Sequence, residues 1–401
     1  MLKSFAVENF KGFSGRQEIE LAPLTLFFGQ NSSGKSTLLR VLPWLAESML
    51  DKRPGPCLDG EVAREATWDD MVNAQASSAP VHLGLQFESG ASVQWSIRGG
   101  HIRGTCEIAK ITCSTKDGSA TLSDDGDHVW QGSEGPVDAR LEGMLPQGKS
   151  PGSLPAPFVS LQKELETVRV QWVTGVRAPV GRVVGVGGTP PFTLGSDGHN
   201  AARHLYFWDR LGLRDRRRTA LADFFSRMNC EVTTEDVSQR GGWFRVILKP
   251  LEGTGLPVNV VDTGEGFTQV LPALVALGRA EANIGPNIVA VEQPELHLHT
   301  NAQRALAETL VAAVERGGVQ VLAETHSEVL LASIQLAVAK GQLPHESVII
   351  YWVSVRSDGS SVAYPVKLDP KGRVSGPWPV DAFADLLELR TELHRARREP
   401  R

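Results

Sequence analysis

Gly29-Gln30-Asn31-Ser32-Ser33-Gly34-Lys35-Ser36 fits the pattern Gly-x-x-x-x-Gly-Lys-Ser/Thr of a phosphate-binding loop. The apolar residues 23–28 before it predict a buried parallel strand, and residues 36–50 after it have apolar positions at helical spacing. In such a loop, backbone N–H groups and the helix N-terminus bind phosphate, Lys35 reaches the β- and γ-phosphates, and the Ser36 hydroxyl ligates Mg²⁺. The predicted site comprises Gly29, Asn31, Ser32, Ser33, Gly34, Lys35, Ser36 and Thr37.

Two later strands end in polar side chains that suit the same site. Residues 288–292 form an apolar strand that ends in Glu292, and residues 319–327 form another that ends in Thr325-His326-Ser327. In phosphate-loop proteins the strand beside the loop ends in a carboxylate that holds Mg²⁺, directly or through water. Parallel strands bring such residues to one edge of the sheet. We therefore expect Glu292 to hold Mg²⁺ and His326 to contact the γ-phosphate.

A glycine-containing segment, Asp262 to Gln269, leads into an apolar helix upstream of the acidic strand. Two glycines and a hydroxyl at a helix N-terminus form an anion site, although the same pattern also occurs as a plain helix cap. The candidate residues of this second anion site are Gly264, Gly266, Thr268 and Gln269.

Strands alternate with helices along the chain, which predicts an α/β fold with a largely parallel sheet. Residues 52–155 differ, because short strand-like stretches among Gly, Ser, Asp and Pro predict a mostly β insertion, ending in a loop or linker at residues 143–157. Pro43 is expected to kink or end the first helix, and residues 381–398 are expected to form a last one.

The phosphate loop and the acidic strand lie far apart in the sequence, yet they must meet at one site. We therefore expect one composite head rather than tandem domains. Its parts are an N-terminal lobe with the phosphate loop (1–50), the β insertion and linker (51–155), an arginine-containing helical lobe with the second anion site (156–285), and a last lobe with the acidic and histidine strands (286–401).

Hydrophobic residues are 41% and charged residues 22% of the chain, which excludes wholesale disorder. The net charge of −5 excludes a histone-like field over the whole surface. No run of 18 apolar residues occurs, so no membrane-spanning helix is expected, and the first residues lack the apolar core of a signal peptide. None of the four cysteines has Cys-x-x-Cys spacing, so we expect reduced thiols in a cytoplasmic protein; they are Cys57, Cys106, Cys113 and Cys230.

Together these motifs resemble the ABC-type ATPase heads of the SMC, RecF and OLD superfamily, and in particular the bacterial AAA-15 and AAA-21 ATPases associated with phage defence. Residues 9–37 are similar to the start of that family, and residues 292–299 to its Walker B motif and D-loop. Thr325-His326-Ser327 is similar to its switch histidine, and residues 262–269 stand where the family has its signature motif. The tail, residues 367–384, is similar to a C-terminal domain of unassigned function.

The resemblance implies an SMC/RecF-like ABC ATPase head: a mixed sheet with flanking helices, a β-rich insertion and a helical signature lobe. It implies ATP and Mg²⁺ as cofactors and adds Lys11 to the residues that contact the nucleotide. It also implies a head-to-tail homodimer, in which the signature segment of one subunit covers ATP on the phosphate loop of the other. An effector protein and DNA or RNA are further candidate partners, and no membrane is expected.

Gln293 departs from the family pattern, because ABC ATPases usually follow the Mg²⁺ carboxylate with a glutamate that activates water. An amide is a poor general base at neutral pH. Three alternatives are open: Glu295 takes the role, hydrolysis is slow and ATP mainly holds the dimer closed, or Gln293 orients water without taking its proton. Gln147 is a candidate for the family's glutamine contact between lobes, or it is an ordinary loop residue.

A cluster of arginines in the predicted helical residues 200–228 suits phosphate contacts or is simply solvated, since Asp209 and Asp215 offset its charge. Its members are Arg210, Arg214, Arg216, Arg217 and Arg218. The basic residues 394–398 are a weaker candidate of the same kind.

Four other residues give weaker signals. Arg177 and Arg182 are expected to line a groove and receive no role. His297 and His299 are expected at the dimer contact rather than in a metal site, because no third ligand is apparent. No Toprim-like acidic cluster follows His326, which disfavours a nuclease within this chain.

Three hypotheses follow for the function. The first is an ABC-type ATPase that dimerises on ATP and acts on nucleic acid or regulates a partner effector, in bacterial anti-phage defence. The second is an ATP-gated scaffold or sensor with little turnover, which Gln293 motivates. The third, a phosphate-loop kinase or GTPase, is disfavoured by the signature-like segment, by the Thr-His-Ser strand end and by the lack of an Asn-Lys-x-Asp sequence for base recognition.

Overall fold

The computed structural model describes residues 1–124, 129–212, 215–237, 241–253, 255–283, 285–376 and 378. Its strands are β1 (Leu2–Glu8), β2 (Gln17–Glu20), β3 (Leu24–Gly29), β4 (Val81–Phe87), β5 (Ser92–Gly99), β6 (Cys106–Thr115), β7 (Gly118–Asp124), β8 (Trp130–Gly132), β9 (Gly135–Val137), β10 (Ala139–Glu142), β11 (Leu145–Gly148), β12 (Val170–Val173), β13 (Val184–Gly185), β14 (Cys230–Asp236), β15 (Trp243–Pro250), β16 (Val258–Asn259), β17 (Ile288–Glu292), β18 (Gln320–Glu324), β19 (Val348–Val355), β20 (Ser361–Leu368) and β21 (Val374–Ser375). Its α-helices are α1 (Lys35–Leu50), α2 (Trp68–Met71), α3 (Ala156–Glu166), α4 (Ala201–Asp209), α5 (Thr219–Arg227), α6 (Glu265–Glu281), α7 (Thr300–Arg316) and α8 (Glu328–Ala339).

The strand before the phosphate loop, β3, lies inside a seven-stranded sheet with the order β12-β17-β18-β3-β19-β20-β21. The first five strands in that order are parallel, and β20 and β21 complete the sheet in antiparallel pairing. Every residue of β3 is buried, as the apolar run predicted. The expected mixed α/β sheet is therefore confirmed.

Alternate residues of the central strands face two separate hydrophobic cores, because successive side chains of a strand point to opposite faces. In β17, Ile288 and Ala290 belong to the core that includes α1. Val289 and Val291 belong to the core built with the helices α4 to α8. The central sheet is thus covered on both faces, which is why its strands are apolar throughout.

The second sheet is antiparallel and has eight strands in the order β2-β1-β4-β5-β6-β7-β8-β9. Its side chains share the core of α1, where the buried Trp95 of β5 and Leu38 of α1 belong to one cluster. The strands of the predicted β insertion therefore extend the N-terminal hairpin, since β4 pairs directly with β1.

The structure corrects the sequence-based expectations in three places. Pro43 does not end the first helix, since α1 continues through it to Leu50 with its flanking residues buried in the core. Residues 143–157 are not only a linker, since β11 pairs with β10 and α3 begins at Ala156. The helical stretch 200–228 is interrupted, because α4 ends at Asp209 and a 3₁₀ turn precedes α5.

Other predicted elements are confirmed at nearly the expected bounds, including β15, β17, α7 and α8. The predicted helix 381–398 and the basic residues 394–398 lie outside the described residues. No helix in the described part of the chain combines the length and the apolar character that crossing a membrane requires.

Candidate functional site

The phosphate loop connects β3 to α1 by a backbone that requires its glycines. Gly29 has φ +143°, and a Cβ there would lie 2.0 Å from the carbonyl oxygen of Val353 on β19. Gly34 has φ +106°, which L side chains rarely adopt, and a Cβ there would lie 3.0 Å from the ring of Phe13. The loop geometry that the sequence predicted is therefore present, with Asn31 and Ser32 exposed at its tip and Thr37 in the first turn of α1.

Lys35 is held across the loop by the protein's own polar groups. Its Nζ donates a hydrogen bond to the carbonyl oxygen of Gln30 at 2.8 Å and lies 3.9 Å from Oε1 of Glu324. Burial lowers the pKa of Lys35, and the Glu324 carboxylate opposes that shift. The ammonium group is thus positioned beneath the loop by contacts that a nucleotide phosphate can replace.

The order of the strands corrects one detail of the predicted metal site. The strand hydrogen-bonded to β3 on this side is β18, and β17, which carries Glu292, lies one strand further away. Glu292 and Glu324 are register partners in the parallel pair of β17 and β18. Two carboxylates, rather than one, therefore stand next to each other at the sheet edge that faces the phosphate loop.

Glu292 is fully engaged by hydrogen-bond donors. Its Oε1 accepts from Nε of Arg40 at 2.5 Å and from the indole N–H of Trp172 at 3.2 Å. Its Oε2 accepts from Nη2 of Arg40 at 3.0 Å and from the backbone N–H of Gly175 at 3.1 Å. The Arg40 guanidinium also lies over the Trp172 ring, 5.3 Å from its centroid. Glu292 therefore anchors α1 to β17 and β12.

Glu324 has different surroundings. It is 5% exposed, and its Oε2 has no hydrogen-bond partner among the described residues. Burial raises the pKa of this carboxyl group, and a hydrogen bond from Ser36 and the charge of Lys35 oppose the shift, while Glu292 adds to it. Sequence reasoning missed Glu324, although a strand-end carboxylate next to Thr325-His326 is the same signal that singled out Glu292.

Gln293, Glu295 and His326, the three other predicted catalytic residues, line one cavity of about 420 Å³. Gln293 has φ +40°, and its backbone N–H donates to the carbonyl oxygen of Glu324 at 2.7 Å. His326 is exposed there, and partial burial of the ring, followed by the charge of Lys35, lowers its pKa. The structure thus brings these three residues together beside the ends of β17 and β18.

Glu295 connects the loop after β17 to the end of β18. Its Oε1 accepts from the hydroxyl of Thr325 at 2.7 Å and from the backbone N–H of His326 at 3.0 Å. Its Oε2 is buried and has no hydrogen-bond partner in the described part of the chain. One oxygen therefore positions the Thr325-His326 segment, while the other is available for further contacts.

The signature-like segment packs against the loop that follows β17. A Cβ on Gly266 would lie 2.6 Å from the carbonyl oxygen of His297, so only glycine permits this approach. The hydroxyl of Thr268 donates to the carbonyl oxygen of Glu265 at 2.7 Å, and Gly264 precedes the helix with φ +96°. The side chain of His297 lies 3.8 Å from the Glu265 carboxylate. The segment is therefore tied to the loop that follows β17 in its own subunit.

Arg177, to which the sequence assigned no role, joins the two predicted half-sites. It is 5% exposed and donates to the backbone carbonyl oxygens of Gln269 at 3.0 Å, Glu292 at 2.5 Å and Gln293 at 3.2 Å. Burial lowers its pKa to about 10, against the charges of Glu295 and Glu292. No motif marks such a residue, because its partners are main-chain atoms.

The remaining candidates lie outside this arrangement or are neutralised by neighbours. Lys11, with φ +49°, lies near Arg40, whose charge adds to burial in lowering the Lys11 pKa. Gln147 lies in β11, and its side-chain oxygen accepts a hydrogen bond from Gln162 at 3.2 Å.

The arginine cluster does not occupy one face of a helix, because the helix breaks there. Arg210 pairs with Asp236 at 2.9 Å, Arg217 with Asp215 at 2.5 Å, and the buried Arg218 with Asp209. Arg214 lies outside the described residues, and Arg182 pairs with Asp262 at 2.6 Å. Most of these charges are therefore compensated locally.

One group of side chains outside the site has the spacing of metal ligands, namely Asp51, Cys57 and Asp59. Arg53 occupies it, with hydrogen bonds to both carboxylates, and burial raises the pKa of the Cys57 thiol to about 11. A guanidinium among the carboxylates and a protonated thiol do not suit a cation.

Two family models match the sequence. The model described as "AAA ATPase domain" (AAA-15) matches residues 1–125, and the one described as "AAA domain, putative AbiEii toxin, Type IV TA system" (AAA-21) matches residues 200–332. The first range contains the phosphate loop, and the second contains the signature-like segment, β17 and the switch histidine. Among curated proteins, none matches the sequence.

Solved structures with a similar fold are heads of SMC proteins. An SMC head bound to the C-winged helix domain of ScpA is 11% identical, with a TM-score of 0.50 over 92% of this chain and 98% of that one. The SMC head of Thermotoga maritima is 12% identical, with a TM-score of 0.46 over 92% of this chain and 99% of that one. The Smc head of Pyrococcus furiosus, bound to the C-terminal domain of ScpA, is 11% identical, with a TM-score of 0.47 over 97% of this chain and 99% of that one. At these identities the similarity is one of fold.

Proposed function

Because the chain is an SMC/RecF-like ATPase of the AAA-15 and AAA-21 type, we propose that it binds ATP at residues 29–37 and dimerises head to tail over two composite sites. The observation that carries this proposal is that the two candidate anion-binding segments are attached to different elements of one subunit. The phosphate loop joins β3 to α1, while Gly266 is fixed against the loop that follows β17. A second copy supplies the missing segment to each phosphate loop.

The residues of each half-site have distinct roles in this proposal. Backbone N–H groups of the loop and the N-terminus of α1 hold the β- and γ-phosphates, and Lys35 leaves Gln30 to neutralise them. His326, exposed in the cavity at the ends of β17 and β18, contacts the γ-phosphate in this proposal. Gly264, Gly266, Thr268 and Gln269 of the second subunit complete the site.

The buried oxygens near the loop fit a magnesium ion, since Ser36 and the strand-end carboxylates are the ligands that Mg²⁺ prefers. When bound, Mg²⁺ neutralises charge on the phosphate oxygens during transfer to water. Ser36 and one of the two strand-end acids, Glu292 or Glu324, are the residues of this chain that would hold it. Water is oriented by Gln293 or deprotonated by Glu295, whose Oε2 has no hydrogen-bond partner among the described residues.

We infer that the output of the ATP cycle is regulation of a partner effector rather than direct action on nucleic acid. The arginines at residues 210–218, the main candidates for DNA or RNA contacts, largely pair with carboxylates of their own subunit. The AAA-21 description names a toxin–antitoxin system, which supports an effector and a role in anti-phage defence. The four free thiols support a cytoplasmic location.

Light scattering with and without ATP tests the dimer. We expect ATP to double the mass of the wild-type protein and expect no change for Lys35→Ala, whose affinity for ATP should fall about ten- to hundred-fold because a charge-assisted contact to phosphate is lost. Lys163→Ala, an exposed lysine on α3, is the matched control and should dimerise normally. A wild-type protein that stays monomeric at saturating ATP would overturn the composite site.

The second candidate function, an ATP-gated scaffold with little turnover, is favoured by the amide at Gln293. Release of phosphate by the ATP-bound dimer distinguishes it from the first. A dimer that forms with ATP but releases no phosphate above the Lys35→Ala background would support the scaffold.

A further inference from the structure

The two carboxylates at the ends of β17 and β18 are not equivalent. Glu292 accepts four hydrogen bonds, two on each oxygen, which is about the full capacity of a carboxylate. Glu324 keeps Oε2 without a hydrogen-bond partner among the described residues, although the side chain is 93% buried. A buried carboxylate oxygen that lacks a partner is costly, so its presence points to a ligand.

The surroundings of Glu324 suit a divalent cation bound with a nucleotide. Ser36, the predicted Mg²⁺ ligand of the phosphate loop, lies in the first turn of α1 and opposes the rise in the pKa of the Glu324 carboxyl group. Lys35, the residue that reaches the phosphates, lies 3.9 Å from the other oxygen. Hydroxyl and carboxylate oxygens are hard ligands that Mg²⁺ prefers, and two of them adjoin the place where the phosphates bind.

Glu292 is poorly suited to bind the cation, because breaking its hydrogen bonds with Arg40 would leave the Arg40 guanidinium without its charged partner. The Arg40 guanidinium makes its hydrogen bonds to Glu292 and packs over Trp172. Removing one partner from a paired, largely buried charge is more costly than leaving the pair intact. The ion pair therefore serves to fix α1, and with it the phosphate loop, against the central sheet.

We propose that Glu324, and not Glu292, is the acidic side chain that joins Ser36 in holding the Mg²⁺ of the bound nucleotide. Glu292 is a positioning residue that fixes Arg40. This assignment rests on the proposed ATP site and specifies its metal ligands.

The assignment also explains why Lys35 and Glu324 lie close to each other. Each charge has a separate destination when Mg²⁺ and ATP bind, because the ammonium turns to the phosphates and the carboxylate to the cation. The ion pair keeps both groups compensated while they are buried. The cation and the phosphates bind together, so the cation pairs with Glu324 and the phosphates pair with Lys35. Neither buried charge is then left without a partner of opposite sign.

Binding measurements that do not depend on hydrolysis test the assignment. The probes are Mn²⁺, followed by electron paramagnetic resonance, and a fluorescent non-hydrolysable ATP analogue titrated with excess Mg²⁺ or with EDTA. For Glu324→Gln we expect Mn²⁺ affinity in the presence of the analogue to fall about ten-fold or more. Analogue affinity in EDTA should be unchanged or higher, because Lys35 is freed. Glu292→Gln should keep Mn²⁺ affinity within about two-fold, while its melting temperature falls because Arg40 loses charge pairing.

Glu281→Gln is the matched control, because Glu281 is another buried carboxylate with one oxygen that has no hydrogen-bond partner among the described residues. Glu281 is the last residue of α6 and pairs with Arg316 at the end of α7. This variant should leave Mn²⁺ affinity unchanged. If Glu324→Gln does not fold, Glu324→Asp, which shortens the side chain and keeps its charge, takes its place and should also weaken Mn²⁺ binding.

Three outcomes are distinguishable. Loss of Mn²⁺ affinity in Glu324→Gln alone supports the assignment, and loss in Glu292→Gln with normal binding by Glu324→Gln overturns it. If the wild-type protein binds no analogue at all, or Lys35→Ala binds it normally, the proposed ATP site itself fails, and the metal assignment falls with it.

Discussion

At the scale of single residues, the chemistry of the site depends on which side chain meets the attacking water. Gln293 occupies the position after Glu292 with φ +40°, a conformation that is uncommon for a residue with a side chain. Its backbone N–H donates a hydrogen bond to the carbonyl oxygen of Glu324. The main chain therefore fixes the position, while the amide group limits what the side chain can do.

Gln293→Glu should raise the rate of phosphate release at saturating ATP by about ten-fold or more, because a positioned general base contributes about 10²- to 10⁴-fold. The measurement is steady-state phosphate release by the purified dimer. The double variant Lys35→Ala/Gln293→Glu controls for contaminating ATPases and should show only background. An unchanged rate in Gln293→Glu would indicate that residue 293 does not reach the water, which would favour Glu295.

Sequence reasoning identified residues whose role follows from a local pattern, and it missed those defined by distant partners. Lys35, His326 and the glycines of the loop belong to contiguous motifs with a fixed position between strand and helix. Arg40 and Arg177 carry no such signal, because their partners are a carboxylate on β17 and main-chain oxygens near residues 269 and 293. Such contacts become visible only when the strands are aligned in space.

At the scale of elements, α4 and α6 are joined by a buried histidine. Nη1 of Arg279 on α6 donates to Nε2 of His204 on α4 at 2.8 Å, so the ring accepts there and is neutral. Burial, followed by the positive charge of Arg279, lowers the pKa of His204 to about 4. The contact between these two helices is consequently sensitive to acid.

The protonation of His204 should lower the free energy of unfolding by about 3 kcal/mol as the pH is lowered from 7 to about 4. Above pH 6.5 the ring is neutral in both states, so the stability is fully present there. Below pH 6.5 the unfolded chain binds a proton that the folded protein excludes, until the folded ring also titrates near pH 4. Urea unfolding at pH 7 and pH 4.5 measures this change.

His204→Gln, which can still accept a hydrogen bond from Arg279, serves as the reference. Its loss of stability between the two pH values should be smaller than that of the wild type by about the same amount, since the carboxylates titrate alike in both proteins. Parallel losses in the two proteins would show that His204 is not excluded from protonation.

Most elements could be predicted from periodicity, and the exceptions have physical causes. Leu145–Gly148 was expected to be loop because of its proline and glycine, but pairing with Ala139–Glu142 on one edge tolerates a proline. The break between α4 and α5 arises where Asp215 caps a 3₁₀ turn by accepting from the backbone N–H of Arg217. The capping residue therefore determines where the helix is interrupted, which the spacing of apolar residues does not reveal.

At the scale of the whole molecule, one helix serves two sheets. The apolar side of α1 belongs to a core that includes both the central strands and the antiparallel sheet. Trp44, for example, stacks on Phe10 at a centroid distance of 5.6 Å, and its indole N–H donates to the carbonyl oxygen of Cys57. The composition of residues 51–155 predicts an insertion. Composition does not reveal that its first strand, β4, pairs with β1 of the N-terminal hairpin.

A fragment of residues 52–155 should not fold alone. It would lack β1, the pairing partner of β4, and α1, which covers the apolar face containing Trp95 and Ile108. Circular dichroism and amide-proton NMR dispersion of the fragment would measure this, with residues 1–155 as the matched comparison. A cooperatively folded fragment 52–155 would show that the antiparallel sheet is an independent domain.

The burial of β3 also affects how the chain is made. Both neighbours of this strand, β18 and β19, lie near the end of the sequence, at residues 320–355. At a synthesis rate of about 5–20 residues per second, β3 leaves the ribosome roughly 15 to 60 seconds before its partners exist. During that interval an apolar strand with both edges unpaired is exposed to other chains. The arrangement that brings the phosphate loop next to β18 and β19 therefore leaves β3 without its sheet partners until residue 355 has been synthesised, an interval in which chaperone binding would protect it.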